Sequence, residues 1–193
     1  DFARLEWPFR PILAGLEHLD ERYVRAVNYS TKAARRERPK MVLLADIVGD
    51  DEQAVAEAAS QVVRLANARD AEGFIAVSPE ARRRFWADRS RTAAIAAHTN
   101  AFKINEDVVV PRSKVPELVA KIEQIGKKHD TFVANFGHAG DGNIHVNFVI
   151  DRDDPAAIAR ARECVSETFK LSVELGGTIS GEHGIGYVKS GYL

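Results

Sequence analysis

The 193 residues carry 28 acidic and 27 basic side chains, a near balance that argues against nucleic acid or a membrane surface as the main partner. Apolar residues make up 45% of the chain, enough to build one substantial domain with a real core. Cys164 is the one cysteine, which excludes an internal disulfide, and no apolar run approaches a bilayer span; a reducing, cytoplasmic setting is expected.

Residues 1–10 read as an irregular lead-in. From 11 to 38, Ile12, Leu13, Leu16, Leu19, Tyr23 and Val27 recur at helical spacing, and the basic run "RRERP" suits a helix end stopped by Pro39. The spacing predicts an N-terminal helix, and residues 1–39 are set apart from a main domain over 40–193. "MVLLADIV" (41–48) predicts a buried strand. Asp50 and Asp51 can cap a helix striped by Val55, Ala58, Ala59, Val62 and Leu65. "GFIAV" (73–77) predicts another strand. Ser78 and Pro79 fit the N-cap and first position of a further helix.

"AFKINEDVVVP" predicts an extended segment, after which Ser113 opens a helix with Val115, Leu118, Val119, Ile122 and Ile125 inward. "TFVANFGH" and "NIHVNFVI" are strands joined by a short turn, hence an antiparallel hairpin. Residues 155–175 predict a last helix, and "GGTISGEHGIG" is too rich in glycine to be regular. Helices alternate with strands, yet one pair is a tight hairpin. The expected class is α+β: a ferredoxin-like mixed or antiparallel sheet, with helices mainly on one face and the extra N-terminal helix.

Three of the six histidines, His138, His145 and His183, fall in the last third. His138 and His145 bracket the turn of "GHAGDGNIH", so their rings can converge. Glu182 adjoins His183 in a glycine loop able to fold over them. Two imidazoles and a carboxylate form an N/N/O set suited to catalytic zinc or a similar divalent metal. The plain alternative is a pair of turn histidines bonded to backbone. Asp141 is a further candidate ligand or a turn residue, and Asn147 shares the strand face of His145 or is an edge asparagine. The glycines of "GHAGDG" and "GEHGIG" raise phosphate binding as a rival, but neither fits a dinucleotide or P-loop pattern. Arg89 sits among Arg82, Arg83, Arg84 and Arg91 on a basic helix, where surface charge is the plain reading. His98 and Lys103 flank "TNAF" as an anion site or a polar loop, and Cys164 reads as core packing.

"GHAGDGNIHVN" followed by "SGEHGIG", with "EDVVVPRSKVPELV" before them, resembles the C-terminal domain of FAD-linked oxidases of the vanillyl-alcohol-oxidase type. That family includes glycolate oxidase, D-lactate dehydrogenase and D-2-hydroxyglutarate dehydrogenase. The resemblance runs from about Met41 to the C-terminus. It implies a substrate cap, with FAD bound mainly on a separate domain of a longer protein, and a small 2-hydroxy acid as substrate. It implies His138, His145 and Glu182 as metal ligands, with zinc the preferred ion, His183 as general base, Asn147 as an active-site contact and Arg89 as a carboxylate clamp. Two departures stand out. Ala93 replaces a threonine of the hydroxyglutarate enzymes, and Lys103 is two residues away from their substrate lysine. "AAHTNAFKINEDVVVP" looks closer to members that work with an iron–sulfur electron-acceptor module. Read from chemistry alone, a metal-dependent hydrolase using the same His/His/Glu set, or a non-catalytic fragment that packs against a partner, remains open.

Overall fold

The computed structural model describes residues 13–26, 39–90 and 102–193. Five strands form one antiparallel sheet, in the order β2-β1-β4-β5-β3. They are β1 (Leu13–Asp20), β2 (Met41–Ile47), β3 (Phe102–Val109), β4 (Phe132–His138) and β5 (Asn143–Ile150). The helices are α1 (Glu21–Ala26), α2 (Glu52–Asn67), α3 (Pro79–Arg89), α4 (Val115–Lys128) and α5 (Pro155–Glu174). No helix among the described residues is long and apolar enough to cross a membrane.

Over 13–26, the described part of the helix expected at 11–38, the chain does not form one continuous helix. Leu13–Asp20 is a strand, Glu21–Ala26 a short helix, and residues 27–38 lie outside the described residues. The reason is physical. β1 sits between β2 and β4, so Leu16, Glu17, His18, Leu19 and Asp20 are all buried, on both faces of the sheet. Polar residues therefore occupy positions that an amphipathic strand would give to apolar ones. Leu13, Leu16 and Leu19, spaced by three, then imitate a helical stripe. Asp20 ends the strand and starts α1: its Oδ1 accepts the Tyr23 N–H at 2.7 Å, and its Oδ2 accepts the Asn135 N–H at 2.5 Å.

The expected strand over 73–77 is also absent, and no described strand lies beside it. Gly73 is held against α2 instead, its N–H on Asn67 Oδ1 at 3.1 Å, and Phe74, Ile75 and Val77 are exposed. β-propensity without a neighbouring strand does not make a strand. The remaining elements form as expected, within a residue or two, except that the strand expected to be buried over 41–48 is β2 at the sheet edge, paired on one side only, with Leu44 its one buried residue. Asp51 caps α2, Ser78 Oγ accepts the Ala81 N–H at 3.1 Å, and Asp154 caps α5. Ser113 falls in a single 3-10 turn, and α4 proper begins at Val115.

The two faces of the sheet differ. One carries Val108, Ile144, Val146 and Phe148 against Leu118 and Ile122 of α4 and Cys164 and Phe169 of α5, the main core. The other carries a smaller cluster of Leu19, Leu44 and Phe136 under Tyr23 and Val24 of α1, with Phe85 of α3 beside it. Helices thus lie on both faces, the two that build the main core on one. Tyr23 locks the second cluster: its ring centroid is 5.0 Å from that of Phe136, and its hydroxyl donates to the Arg89 carbonyl at 3.0 Å.

Two close approaches bring the functional segments together. Gly142, in the hairpin turn, has φ +78°, and a Cβ there would lie 2.0 Å from the Val110 carbonyl oxygen. A Cβ on Gly177 would lie 1.8 Å from the Val109 oxygen, where Val109 and Thr178 form an antiparallel bridge. Hairpin turn and glycine loop are therefore both laid against the end of β3.

Candidate metal and substrate site

His145 of β5 pairs with Phe136 of β4, and His138 pairs with Asn143. Side chains alternate along each strand, so His138 and His145 share the face opposite the main core. Their ring centroids are 5.4 Å apart, edge to face. The loop over 180–183 crosses above them. Glu182 Oε1 lies 3.1 Å from His138 Nε2, and Oε2 lies 3.5 Å from His145 Nε2. One ligand atom from each of the three falls within 4.8 Å of the others. The convergence expected from the sequence is present.

Asp107 holds that loop in place. It lies opposite His145 on β3 and is completely buried. Its Oδ2 accepts three successive loop N–H groups: Gly181 at 2.7 Å, Glu182, and His183 at 3.1 Å. Its Oδ1 meets the buried Lys189 ammonium at 2.7 Å, and Lys189 also donates to the Ile179 carbonyl at 2.9 Å. Burial works against the Asp107 charge, but Lys189 and the loop amides outweigh it and hold the carboxyl well below the usual range. These amides are the ones a phosphate would need. An internal carboxylate already occupies them, which removes the argument for a phosphate cradle.

Glu17 makes a second anchor. It is 6% exposed; its Oε1 lies 2.6 Å from His138 Nδ1, and its Oε2 accepts the Arg89 Nε–H at 2.7 Å. The Arg89 guanidinium also lies 5.0 Å over the Phe136 ring. Arg89 thus leaves the run of surface arginines and turns inward. Arg82 and Arg84 remain exposed, paired with Asp46 and Glu80. His183 stacks on His145 at 5.4 Å and 24°, with its Nδ1 3.4 Å from Asp107 Oδ1. Asn147 is fully buried on the His145 face; its Nδ2 donates to the Ala134 carbonyl at 3.2 Å, and its Oδ1 has no partner among the described residues.

Not every candidate joins the cluster. Lys103 shares the strand face of Asp107 but lies four residues along β3, about 13 Å away at strand rise. Asp141 stays exposed in the turn, its N–H on the His138 carbonyl at 2.9 Å. His98, Ala93 and Arg91 fall outside the described residues. Conversely, Glu17, Asp107 and Lys189 carry the arrangement and were not singled out from sequence. The one available signal was the acidic pair Glu106–Asp107 in an extended segment, directly before Val108, Val109 and Val110, since a buried strand acid needs a partner.

The donor set fits a divalent cation. Burial holds His145 below the ordinary histidine value, only partly offset by Glu182, which favours the neutral ring a metal requires. His138 spends Nδ1 on Glu17 and turns Nε2 inward.

The family model for FAD linked oxidases, C-terminal domain, matches residues 9–193. The chain belongs to this family. As a member, it is 33% identical over 180 residues to glycolate oxidase subunit GlcD of Escherichia coli K12, covering 92% of this chain and 36% of that protein. It is 34% identical over 156 residues to D-lactate dehydrogenase of Anaerostipes hadrus, covering 78% of this chain and 32% of the relative. The chain therefore spans about a third of the length of these relatives. Among solved structures, 4-ethylphenol oxidase from Gulosibacter chungangensis superposes with TM-score 0.56 at 13% identity, over 86% of this chain and 38% of that one, a likeness of fold. The family match takes in β1, and with it Glu17.

Proposed function

We propose that this FAD-linked oxidase C-terminal domain is the substrate-binding, metal-bearing cap of an FAD-dependent enzyme that oxidises a small 2-hydroxy acid. The observation that carries the reading is the convergence of His138, His145 and Glu182 on the sheet face that also presents His183 and Arg89. Glycolate and lactate, named in the relatives, are both 2-hydroxy acids. His138, His145 and Glu182 would hold the ion, zinc by preference. Such an ion, when bound, lowers the pKa of a hydroxyl beside it. His183 accepts the hydroxyl proton at Nε2, because Nδ1 is turned toward Asp107. Arg89 spends Nε on Glu17 and offers its two terminal nitrogens to the substrate carboxylate as a planar fork. Asn147 lines the floor beside His145, and Lys103 stands at the outer edge of the same face. FAD supplies the hydride acceptor and is held by a separate domain of the full-length protein. An iron–sulfur module is the proposed electron acceptor beyond it, in a cytoplasmic, reducing setting. The same His/His/Glu set would serve a metal-dependent hydrolase, but family membership favours oxidation.

The test uses the full-length flavoprotein under anaerobic conditions. D-lactate or glycolate is expected to bleach the oxidised flavin absorbance, a chelator to abolish the bleaching, and zinc to restore it. Bleaching that survives complete metal removal, or no bleaching by any 2-hydroxy acid, overturns the reading.

A further inference from the structure

Glu17 is buried, with one donor on each oxygen: His138 on Oε1 at 2.6 Å and Arg89 Nε on Oε2 at 2.7 Å. The donors differ in kind. A guanidinium nitrogen only donates. An imidazole nitrogen donates or accepts, according to tautomer. A carboxylate only accepts, so it puts the proton of a neutral His138 ring on Nδ1. The lone pair is then on Nε2, the atom that lies 3.1 Å from Glu182 Oε1.

We infer that Glu17 is a positioning residue that sets the tautomer of His138 for metal coordination and ties it to Arg89, so that the metal half and the carboxylate-binding half of the site are one hydrogen-bonded unit. The inference rests on the functional reading above. It explains why a carboxylate is buried in the central part of the sheet. A buried acid is costly unless both its oxygens are satisfied, and here each is satisfied by a different functional residue.

The polarity of Arg89 makes the inference sharply testable. In Glu17→Gln the side chain keeps its shape but has one oxygen and one NH2. Arg89 can only donate, so it claims the oxygen. The NH2 then faces His138 Nδ1 and turns it into an acceptor, which moves the proton to Nε2 and blocks that atom as a ligand. Removing Arg89 as well frees the amide to turn round and offer its oxygen to His138.

Zinc affinity of the full chain is measured by calorimetry for the parent, Glu17→Gln, Arg89→Met and the double variant. Glu17→Gln is expected to bind zinc about 10–100-fold more weakly, the usual effect of losing a partner that orients a metal ligand. Arg89→Met alone keeps the Glu17 bond to His138 and should bind nearly as the parent does. The double variant should recover most of the loss. A merely structural role for Glu17 predicts a double variant no tighter than Glu17→Gln. That result, or parental affinity in Glu17→Gln, overturns the inference and leaves the metal reading standing. A parent chain that takes up no zinc overturns both. Long-range proton–nitrogen NMR of the zinc-loaded parent needs no variant to fold: it should show His138 protonated at Nδ1 and zinc on Nε2, and zinc on Nδ1 would overturn the assignment.

Discussion

His18 and Asp20 stand two residues apart on β1, both buried, and burial drives their proton affinities in opposite directions. His18 has no partner for Nδ1 among the described residues, and burial lowers it from 6.5 to about 4. Burial raises Asp20 from 3.8 to about 6, against the pull of the Tyr23 and Asn135 amides. For His18 the folded state binds fewer protons than the unfolded state between pH 6.5 and about 4, so its contribution is lost as pH falls through that window. For Asp20 the folded state binds more protons between about 6 and 3.8, so stability is gained as pH falls there. The two slopes oppose, and each should appear when the other residue is replaced. Relative to the parent, Asp20→Asn is expected to lose stability on acidification from pH 7 to pH 4. The full His18 window is worth on the order of 3 kcal/mol. His18→Leu is expected to gain over the same range. Urea midpoints at the two pH values measure both, and parallel behaviour of the two variants would contradict the opposed pair.

At the scale of elements, what the sequence disclosed depends on whether burial was one-sided. β5 alternates Ile144, Val146, Phe148 toward the core with His145 and Asn147 on the other face, so its strand character and its paired histidines were both legible. α2 and α4 carried clean apolar stripes, and α2 its capping Asp51 as well. β1 was not legible, because a central strand buried on both faces need not alternate. The site divides in the same way. His138, His145, Glu182 and His183 come from short glycine-bracketed motifs and were readable locally. Glu17 lies 121 residues from His138, and Lys189 lies 82 from Asp107, so only the fold brings them together. Lys189 is the clearest case. It is 3% exposed and lies 2.7 Å from Asp107 and 3.4 Å from Glu106, a carboxyl that burial pushes above its ordinary value. Removing one partner of a buried ion pair strands the others, so Lys189→Met is expected to cost about 3–5 kcal/mol of stability in equilibrium denaturation. A near-neutral result would mean that the acids, and not the lysine, hold the glycine loop.

Across the whole molecule the sheet separates its labours. One face is sealed by α4 and α5 as core, and the other holds polar side chains that few folds would bury. Those side chains arrive on independent supports. His183 rides on the loop that Asp107 clasps, and Arg89 ends α3, held through its carbonyl by Tyr23 and through Nε by Glu17. Loss of one should therefore leave the other in position, and kinetics of the full-length flavoprotein should separate their roles. His183 is assigned a proton transfer made in the transition state. His183→Ala should lower kcat and kcat/KM together, by roughly 10²–10⁴-fold. Arg89 is assigned the substrate carboxylate in ground state and transition state alike, so Arg89→Ala should act mainly through KM. Arg89→Lys should rescue poorly, because one ammonium cannot span Glu17 and a substrate carboxylate at once while keeping the fork. Flavin content should match the parent in all three variants, which separates a lost contact from a lost domain interface. An unchanged kcat in His183→Ala, with turnover of a 2-hydroxy acid intact, would remove His183 from the proton path. An unchanged KM in Arg89→Ala would leave the arginine as a structural partner of Glu17 alone.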